Sequence, residues 1–208
     1  EVAHTLSLAA DWHDASQKTW AVRVAPYYTH VRDYIDARCL AASCPDGQFN
    51  VLRYVNQSAR LYGVDISGHA LAARTPAYGD FTVSGIVNVT RGENRDTGDN
   101  LYNIMPLNAK LALTQKRGRL TNTLEAQFVA AKNRVSDVRN EIATAGYSLL
   151  NLRSSYQWKR VRLDVGIDNL FDKGYALPLG GAYVGQGTTM SINGTPWGIA
   201  VPGPGRTI

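Results

Sequence analysis

Two cysteines, four histidines and two methionines are the side chains in this sequence best suited to binding a metal or forming a cross-link. Cys39 and Cys44 enclose Leu40, Ala41, Ala42 and Ser43. A structural zinc site needs about four N or S ligands, and no histidine pair stands beside these thiols. In an oxidising compartment they read as a disulfide that staples a loop. His4, His13, His30 and His69 are scattered, and none forms the pair one helical turn apart that a helix uses to hold a metal. His69 falls on the polar side of a long alternating stretch, where imidazole serves as a hydrogen-bonding group as readily as a ligand. Met105 and Met190 carry the soft thioether that copper favours, but isolated methionines are ordinary packing residues. No metal site is expected.

Catalytic motifs are equally sparse. The run GGAYVGQGTT, 180–189, has the glycines of a phosphate loop, but it lacks the Gly-Lys-Ser/Thr ending and no helix follows. Ser, His and Asp all occur, but no nucleophile elbow orders them. No pair of carboxylates is marked for glycoside hydrolysis. The expectation is a protein that is not an enzyme and has no cofactor. What remains is binding. The segment 171–208 is rich in glycine and proline, which suits tight turns. Its Tyr175, Tyr183, Met190, Ile192 and Trp197 are nevertheless too apolar for a freely solvated linker. Such a loop packs on its neighbours, and Tyr183 and Trp197 are its candidate ligand contacts. The competing reading is that both rings only cement the loop.

The elements that would position these residues alternate with period two. Val161, Leu163, Val165 and Ile167 share one side of a stretch whose other side carries Arg160, Arg162, Asp164 and Asp168. The same pattern sets Leu107, Ala109, Leu111 and Leu113 against Asn108, Lys110 and Thr114. It sets Leu124, Ala126, Phe128 and Ala130 against Thr123, Glu125 and Gln127. Strict alternation marks strands with two unlike faces. About eight are expected, over 3–13, 18–36, 49–73, 80–91, 102–115, 119–132, 145–158 and 160–170. Several exceed the usual ~5–6 residues of a globular strand.

The expected connections alternate in length. Short turns fall at 14–17, 74–79, 116–118 and 159, and long polar loops at 37–48, 92–100 and 133–144. Long antiparallel strands with one short-turn end and one long-loop end match an outer-membrane barrel. Trp12, Trp20, Tyr78, Phe81, Tyr156 and Trp158 flank the short turns, as an interfacial aromatic girdle would. Tyr27, Tyr28, Tyr34, Tyr54 and Tyr147 are candidates for the opposite girdle. Arg23, Asp65, His69, Lys110, Glu125, Arg153, Arg162 and Asp164 cannot share an apolar core without a large desolvation cost. A polar lumen accommodates them. A soluble β-sandwich, carbohydrate-binding or enzymatic, would turn the same faces the other way, and alternation alone does not separate the two.

Composition adds bounds. Charged residues make up 19% of the 208, low for a soluble domain, and the net charge of +5 is spread without a basic block. Nucleic acid is not an expected partner. No run reaches the ~20 apolar residues of a membrane helix, and the first residues lack the pattern of a signal peptide.

Two stretches carry a resemblance. YVNQSARLYGVDISGHA, 54–70, has a Tyr-x-Asn start and an Ala-Arg-x-x-Gly-Val middle, with Asp65 where glutamate is commoner. GYSLLNLRSSYQWKRVRLDVGIDNLFDKGY, 146–175, ends in an Asn-Leu-Phe-Asp-Lys-x-Tyr block. Both resemble the C-terminal barrel portion of TonB-dependent outer-membrane receptors, whose penultimate strand closes on such a block. The resemblance implies an all-β, antiparallel transmembrane β-barrel of about 22 strands, of which this chain would supply about eight. It implies an N-terminal plug, absent from 1–208, through which the TonB complex acts. It also implies import of a scarce ligand, most often a ferric siderophore or other metal chelate, by a monomeric barrel set in outer-membrane lipid of a Gram-negative bacterium. Residues 1–208 would then be one C-terminal part of the barrel, with 171–208 its last extracellular loop and the final strand missing.

Overall fold

A computed structural model of the protein describes residues 1–40, 51–182 and 198–208. Its strands are β1 (Val2–Ser7), β2 (Ala10–His13), β3 (Trp20–Cys39), β4 (Leu52–Thr75), β5 (Gly79–Asn94), β6 (Asn108–Arg117), β7 (Leu120–Val129), β8 (Tyr147–Gln157) and β9 (Arg162–Ile167). They form one nine-stranded sheet in chain order, with β1 and β2 both paired to β3. Every pairing is antiparallel, as the alternation requires. The sheet is open. No second sheet covers its apolar face among the described residues.

The strand expected over 3–13 is two strands in one register. Ser7 lies opposite Tyr27 and Ala10 opposite Val24, so the pairing continues across the gap. The interruption falls where Leu8 meets Pro26. Leu8 N–H donates to the Pro26 carbonyl at 3.1 Å, but proline has no N–H to return the bond. One missing hydrogen bond splits the strand.

Cross-strand register settles which residues share a face, since residues directly opposite point the same way. One row runs Trp20, Ala70, Val83, Leu113, Leu124, Leu152, Ile167. The next runs Trp12, Val22, Gly68, Gly85, Leu111, Ala126, Leu150. Trp12, Val22, Val83, Leu111, Leu113 and Leu124 are all exposed. A face this apolar and this exposed is a surface built to be covered. The reverse face holds the row Asp11, Arg23, Ser67, Ile86, Lys110, Gln127. Ile86 breaks the alternation of its strand and sits among these polar side chains.

The short turns gather at one end of the sheet and the long loops at the other. At the short-turn end, Trp12, Trp20, Tyr78, Tyr156 and Trp158 are exposed, and the Tyr156 and Trp158 rings meet edge to face at 4.5 Å. The expected tyrosine girdle at the other end is only partly there. Of the candidates, Tyr28 and Tyr54 are exposed, and Tyr28 lies opposite the exposed Tyr62 on the apolar face. Tyr27 is on the reverse face, its hydroxyl 2.7 Å from Thr90 Oγ1. Tyr147 is buried with its ring 4.4 Å from that of Tyr175. Tyr34 packs on the small core of Val31, Ala59 and Leu101. A bulge between Val31 and Tyr34, with Asp33 at φ 56°, shifts the register at this point.

The strand expected over 102–115 begins only at Asn108. Leu101 and Ile104 fold inward onto Val31 and Ala59 instead of pairing. Asn103 turns the backbone at φ 65°, and Pro106 removes a donor just before the strand.

Candidate functional site

Two regions of the polar face are built for contact. The first is its middle, where an open hollow of about 670 Å³ is lined by Asp11, His13, Arg23, Ser67, His69, Ser84, Ile86, Lys110 and Glu125 among others. Neighbouring strands cross-link it. Asn88 Nδ2 donates to Asp65 Oδ1 at 2.7 Å, and Asn151 Nδ2 to Glu125 Oε1 at 3.0 Å. Arg23 lies 3.9 Å from Asp11, Lys110 and Arg153 each 4.0 Å from Glu125, and Arg162 2.8 Å from Asp164. These pairs are solvated, so each contributes little to stability. Their value is a wall that keeps polar groups facing inward. All eight polar residues expected to line a lumen lie on this face.

The second region is the layer of long loops, and it is the better ordered of the two in hydrogen bonds. Lys132 is almost fully buried, with Nζ 2.5 Å from Glu141 Oε1 and 3.0 Å from the Pro178 carbonyl. Glu141 also accepts from the backbone N–H groups of Asn103 and Ser136, each at 2.9 Å. Asp99 accepts from Ser136 Oγ and from the N–H groups of Asp137 and Val138. The loops after β5 and β7 are thus tied to each other and to the segment after β9.

A polar cluster buried beneath them holds Asn94, whose Nδ2 donates to Asp36 Oδ2 at 3.1 Å and to Gln57 Oε1. Arg139 reaches down from its loop to Asp36 Oδ1 at 3.0 Å. Its guanidinium stands 5.7 Å from the Tyr54 ring and 5.3 Å from the Tyr102 ring. Burial opposes the charge on Arg139, but the hydrogen bond and charge of Asp36, with Tyr54, outweigh it and raise the pKa.

The Asn-Leu-Phe-Asp block has a mechanical role. Asn169, 3% exposed and at φ 53°, accepts from Lys173 N–H at 2.8 Å and donates to the Lys173 carbonyl at 2.9 Å. Its own N–H donates to Asn151 Oδ1 on β8. Asparagine tolerates this left-handed backbone better than most residues. Asp172, also at positive φ, accepts from Arg206 N–H at 2.8 Å. Further along, Asp168 bridges Thr207 and Ala176 bridges Pro202. The two legs of the last segment therefore run antiparallel from the end of β9. Burial is the first cause that raises the Tyr175 pKa, followed by the charge of Asp168.

Of the residues proposed from sequence as contacts or cross-links, Cys39 ends β3, while Cys44, Tyr183 and Trp197 lie outside the described residues. His69 and His13 face the same wall, and no cluster of three or more metal-binding side chains occurs among the described residues. Sequence reasoning missed Lys132, Glu141, Asp99 and Arg139. The available signal was that Asp99, Arg139 and Glu141 are charged residues in the expected loops 92–100 and 133–144, whereas Lys132 fell at the end of an expected strand.

Comparisons with known proteins follow this geometry. A family model described as "TonB dependent receptor-like, beta-barrel" matches residues 1–170. The heme/hemopexin utilization protein C of Haemophilus influenzae strain 86-028NP is 28% identical over 127 residues, 57% of this chain and 17% of that protein. Its counterpart in strain ATCC 51907 is 26% identical over 125 residues, again 57% of this chain and 16% of that protein. Among solved structures, the copper transporter OprC superposes with a TM-score of 0.79 at 24% identity, covering 98% of this chain and 29% of that one. The ferric yersiniabactin uptake receptor FyuA from Yersinia pestis gives 0.66 at 18% identity, covering 98% and 28%. The ferric citrate transporter FecA gives 0.66 at 16% identity, covering 84% and 27%. The chain thus spans less than a third of each of these proteins, and these structures speak for the fold. A single open antiparallel sheet with one apolar and one polar face, and a family match over most of its length, lead to one assignment: the chain belongs to the TonB-dependent receptor family, as part of its β-barrel.

Proposed function

We propose that the chain is part of an outer-membrane receptor that imports a scarce metal-containing ligand, a ferric siderophore or another metal chelate, through the action of TonB on a plug inside the barrel. The observation that carries this reading is the two-faced sheet: an exposed apolar band with aromatics at the short-turn end, backed by a charged inner wall. The apolar face suits lipid, and the short turns suit the periplasmic side. The inner wall suits a hydrated plug, and the tied long loops suit an extracellular mouth. Residues 171–208 then form an extracellular loop, with Tyr183 and Trp197 as contacts within it and Cys39 joined to Cys44 in another. The named relatives include a heme/hemopexin utilization protein, a copper transporter, a ferric yersiniabactin uptake receptor and a ferric citrate transporter, which supports a metal-bearing cargo. No reaction step is invoked, because specificity here rests on binding.

The test is uptake by cells carrying the complete gene, with and without a functional TonB, of iron chelated by siderophores, of haem and of copper. TonB-dependent uptake of one of these is the expected result. Equal uptake of all of them with and without the gene would overturn the reading.

A further inference from the structure

Cations from two hairpins meet at the short-turn end of the sheet. Arg117 and Arg119 stand at the turn between β6 and β7, and Lys159 and Arg160 form the tip of the turn between β8 and β9. The turns are far apart in sequence, but β7 pairs with β8 and sets them side by side. Gln157 N–H donates to the Arg119 carbonyl at 3.0 Å, which fixes the join. Arg119, Lys159 and Arg160 line a shallow open hollow together with Trp158 and Val161, and all of these side chains are exposed. Among the described residues, no carboxylate lines this hollow and none of its three cations makes an ion pair. Two carboxylates at the same end, Asp80 and Asp164, are already held by Arg74 at 3.0 Å and by Arg162 at 2.8 Å.

The position of the hollow is as informative as its charge. Trp158 N–H donates to the Val161 carbonyl at 2.7 Å, so these two residues form the last rung before the tip. Tyr156 and Leu163 are the pair above them on the apolar face, and the Trp158 ring packs edge to face on Tyr156. Tryptophan rings favour the level of lipid headgroups. The cations therefore begin where the apolar band stops, at the depth of the phosphates. Guanidinium binds phosphate through paired N–H groups, and ammonium binds it as a point charge. Three unpaired cations repel the ammonium of a zwitterionic lipid. Phosphatidylglycerol brings one phosphate and an uncharged, hydroxylated head instead. An acidic protein segment would satisfy the charges but would leave the apolar floor of Trp158 and Val161 without a role.

We propose that Arg119, Lys159 and Arg160, floored by Trp158 and Val161, bind the phosphate of an anionic phospholipid in the leaflet on the short-turn side, its acyl chains running along Tyr156 and Leu163. The site rests on the membrane reading of the apolar face and is independent of the cargo.

The experiment uses the complete receptor in bilayers of phosphatidylcholine mixed with phosphatidylglycerol. One lipid or the other is brominated on the upper acyl chain to quench nearby tryptophan, and the quenching lost in Trp158→Phe belongs to this site. Heat-modifiable gel mobility reports folding. Phosphatidylglycerol should be preferred at Trp158 about tenfold or more, since each cation beside an anionic surface counts for about fivefold. Raising the salt should shrink the preference. Replacing Arg119, Lys159 and Arg160 together with Gln should abolish it. Arg119→Lys with Arg160→Lys should keep most of it, and Lys18→Gln, on the turn between β2 and β3, should leave it unchanged. Equal quenching by the two lipids in the wild type overturns the proposal. So does an unchanged preference in the folded triple variant, which would leave the patch to an acidic protein partner. If the triple variant fails to fold, Lys159→Gln with Arg160→Gln, confined to the turn tip, decides in its place. A receptor that does not enter the bilayer overturns the membrane reading itself, a result distinct from equal quenching. Failure of the uptake test leaves the lipid comparison untouched.

Discussion

Removing the Glu141 carboxylate should open the loop layer far more than removing its partner Lys132. Both side chains are buried, at 1% and 7% exposure for Lys132 and Glu141. Breaking such a pair from one side costs about 3–5 kcal/mol, because the other charge is left without a counter-ion. The two sides are not equal. Glu141→Gln takes the counter-charge from the buried Lys132 ammonium, leaving it only neutral acceptors such as the Pro178 carbonyl, and turns an amide N–H toward a donor, the Ser136 N–H or the ammonium itself. Lys132→Met leaves Glu141 still accepting from the N–H groups of Asn103 and Ser136. Hydrogen bonds to a charged group contribute about 1.5–3 kcal/mol each, so the Lys132→Met cost should fall to about half or less. At about 1.4 kcal/mol per tenfold, Glu141→Gln should raise local opening roughly a hundredfold or more. The reporters are the amides of Lys132 and Thr144, which bond each other's carbonyls at 2.9 and 3.2 Å. Hydrogen exchange at those amides in the complete receptor measures the opening. Adding Lys132→Met to Glu141→Gln should restore part of the protection. Equal effects of the two single variants, or no gain in the double, would refute the reasoning.

Other outcomes follow from the same geometry. Val165→Arg on the apolar face should hinder assembly, by less than the ~2–4 kcal/mol of the bilayer midplane because Val165 lies two residues from the Leu163–Tyr156 pair at the short-turn end, whereas Asp164→Ala on the reverse face should not. Equal assembly yields in isolated outer membranes would reject the face assignment. Cys39 and Cys44 should be joined in the mature protein, and mass measurement with and without reduction before alkylation checks this; alkylation of both thiols without reduction would refute it. Replacing Tyr183 and Trp197 with Ala should lower uptake per assembled receptor, and unchanged uptake with normal surface expression would leave them a packing role only. Asp14 caps the turn before β3, accepting from Ser16 Oγ first and then from the N–H groups of Trp20, Thr19 and Ser16, which holds its pKa well below the carboxylate range. Because that pKa is depressed on folding, its stabilisation is complete above the ordinary carboxylate range and is lost only in strong acid. Asp14→Ala should therefore loosen the turn at neutral pH and make no difference at the lowest pH, as read by exchange of the Thr19 and Trp20 amides.

The strands could be read from the sequence because their pattern is local. Leu163 and Val165 against Arg162 and Asp164 need no partner to declare two faces. The start of β6 could not be read that way. Ile104 looks like a strand residue until the cluster of Leu101 with Val31 and Ala59, the last two more than forty positions away in sequence, draws it inward. Pro106 was the local warning. The split between β1 and β2 was hidden for a similar reason, since its cause, Pro26, lies on the neighbouring strand. The inner wall was foreseen residue by residue, because polarity alternates with the strand. The loop network was not, because Lys132, Glu141, Asp99 and Arg139 meet through turns that carry no period.

Alternation has a weakness as an instruction for assembly: sliding two long strands by two residues leaves every side chain on its proper face. β3 and β4, at 20 and 24 residues, have many such positions to choose from. Tyr27 removes the ambiguity. Its ring crosses β4 at Gly63 and its hydroxyl reaches Thr90 on β5. A Cβ at Gly63 would fall 2.6 Å from the Tyr27 hydroxyl and 2.2 Å from the Val89 carbonyl, so no other residue leaves the gap open. A slip of two would set the ring over Leu61 or Asp65 and strand the hydroxyl away from its partner. Tyr27, Gly63 and Thr90 thus act as a key spanning three strands. A chain whose hydrophobic pattern permits several nearly equal pairings is left with one that closes, and Gly63→Ala should show its effect less in the finished barrel than in the fraction of chains that reach it.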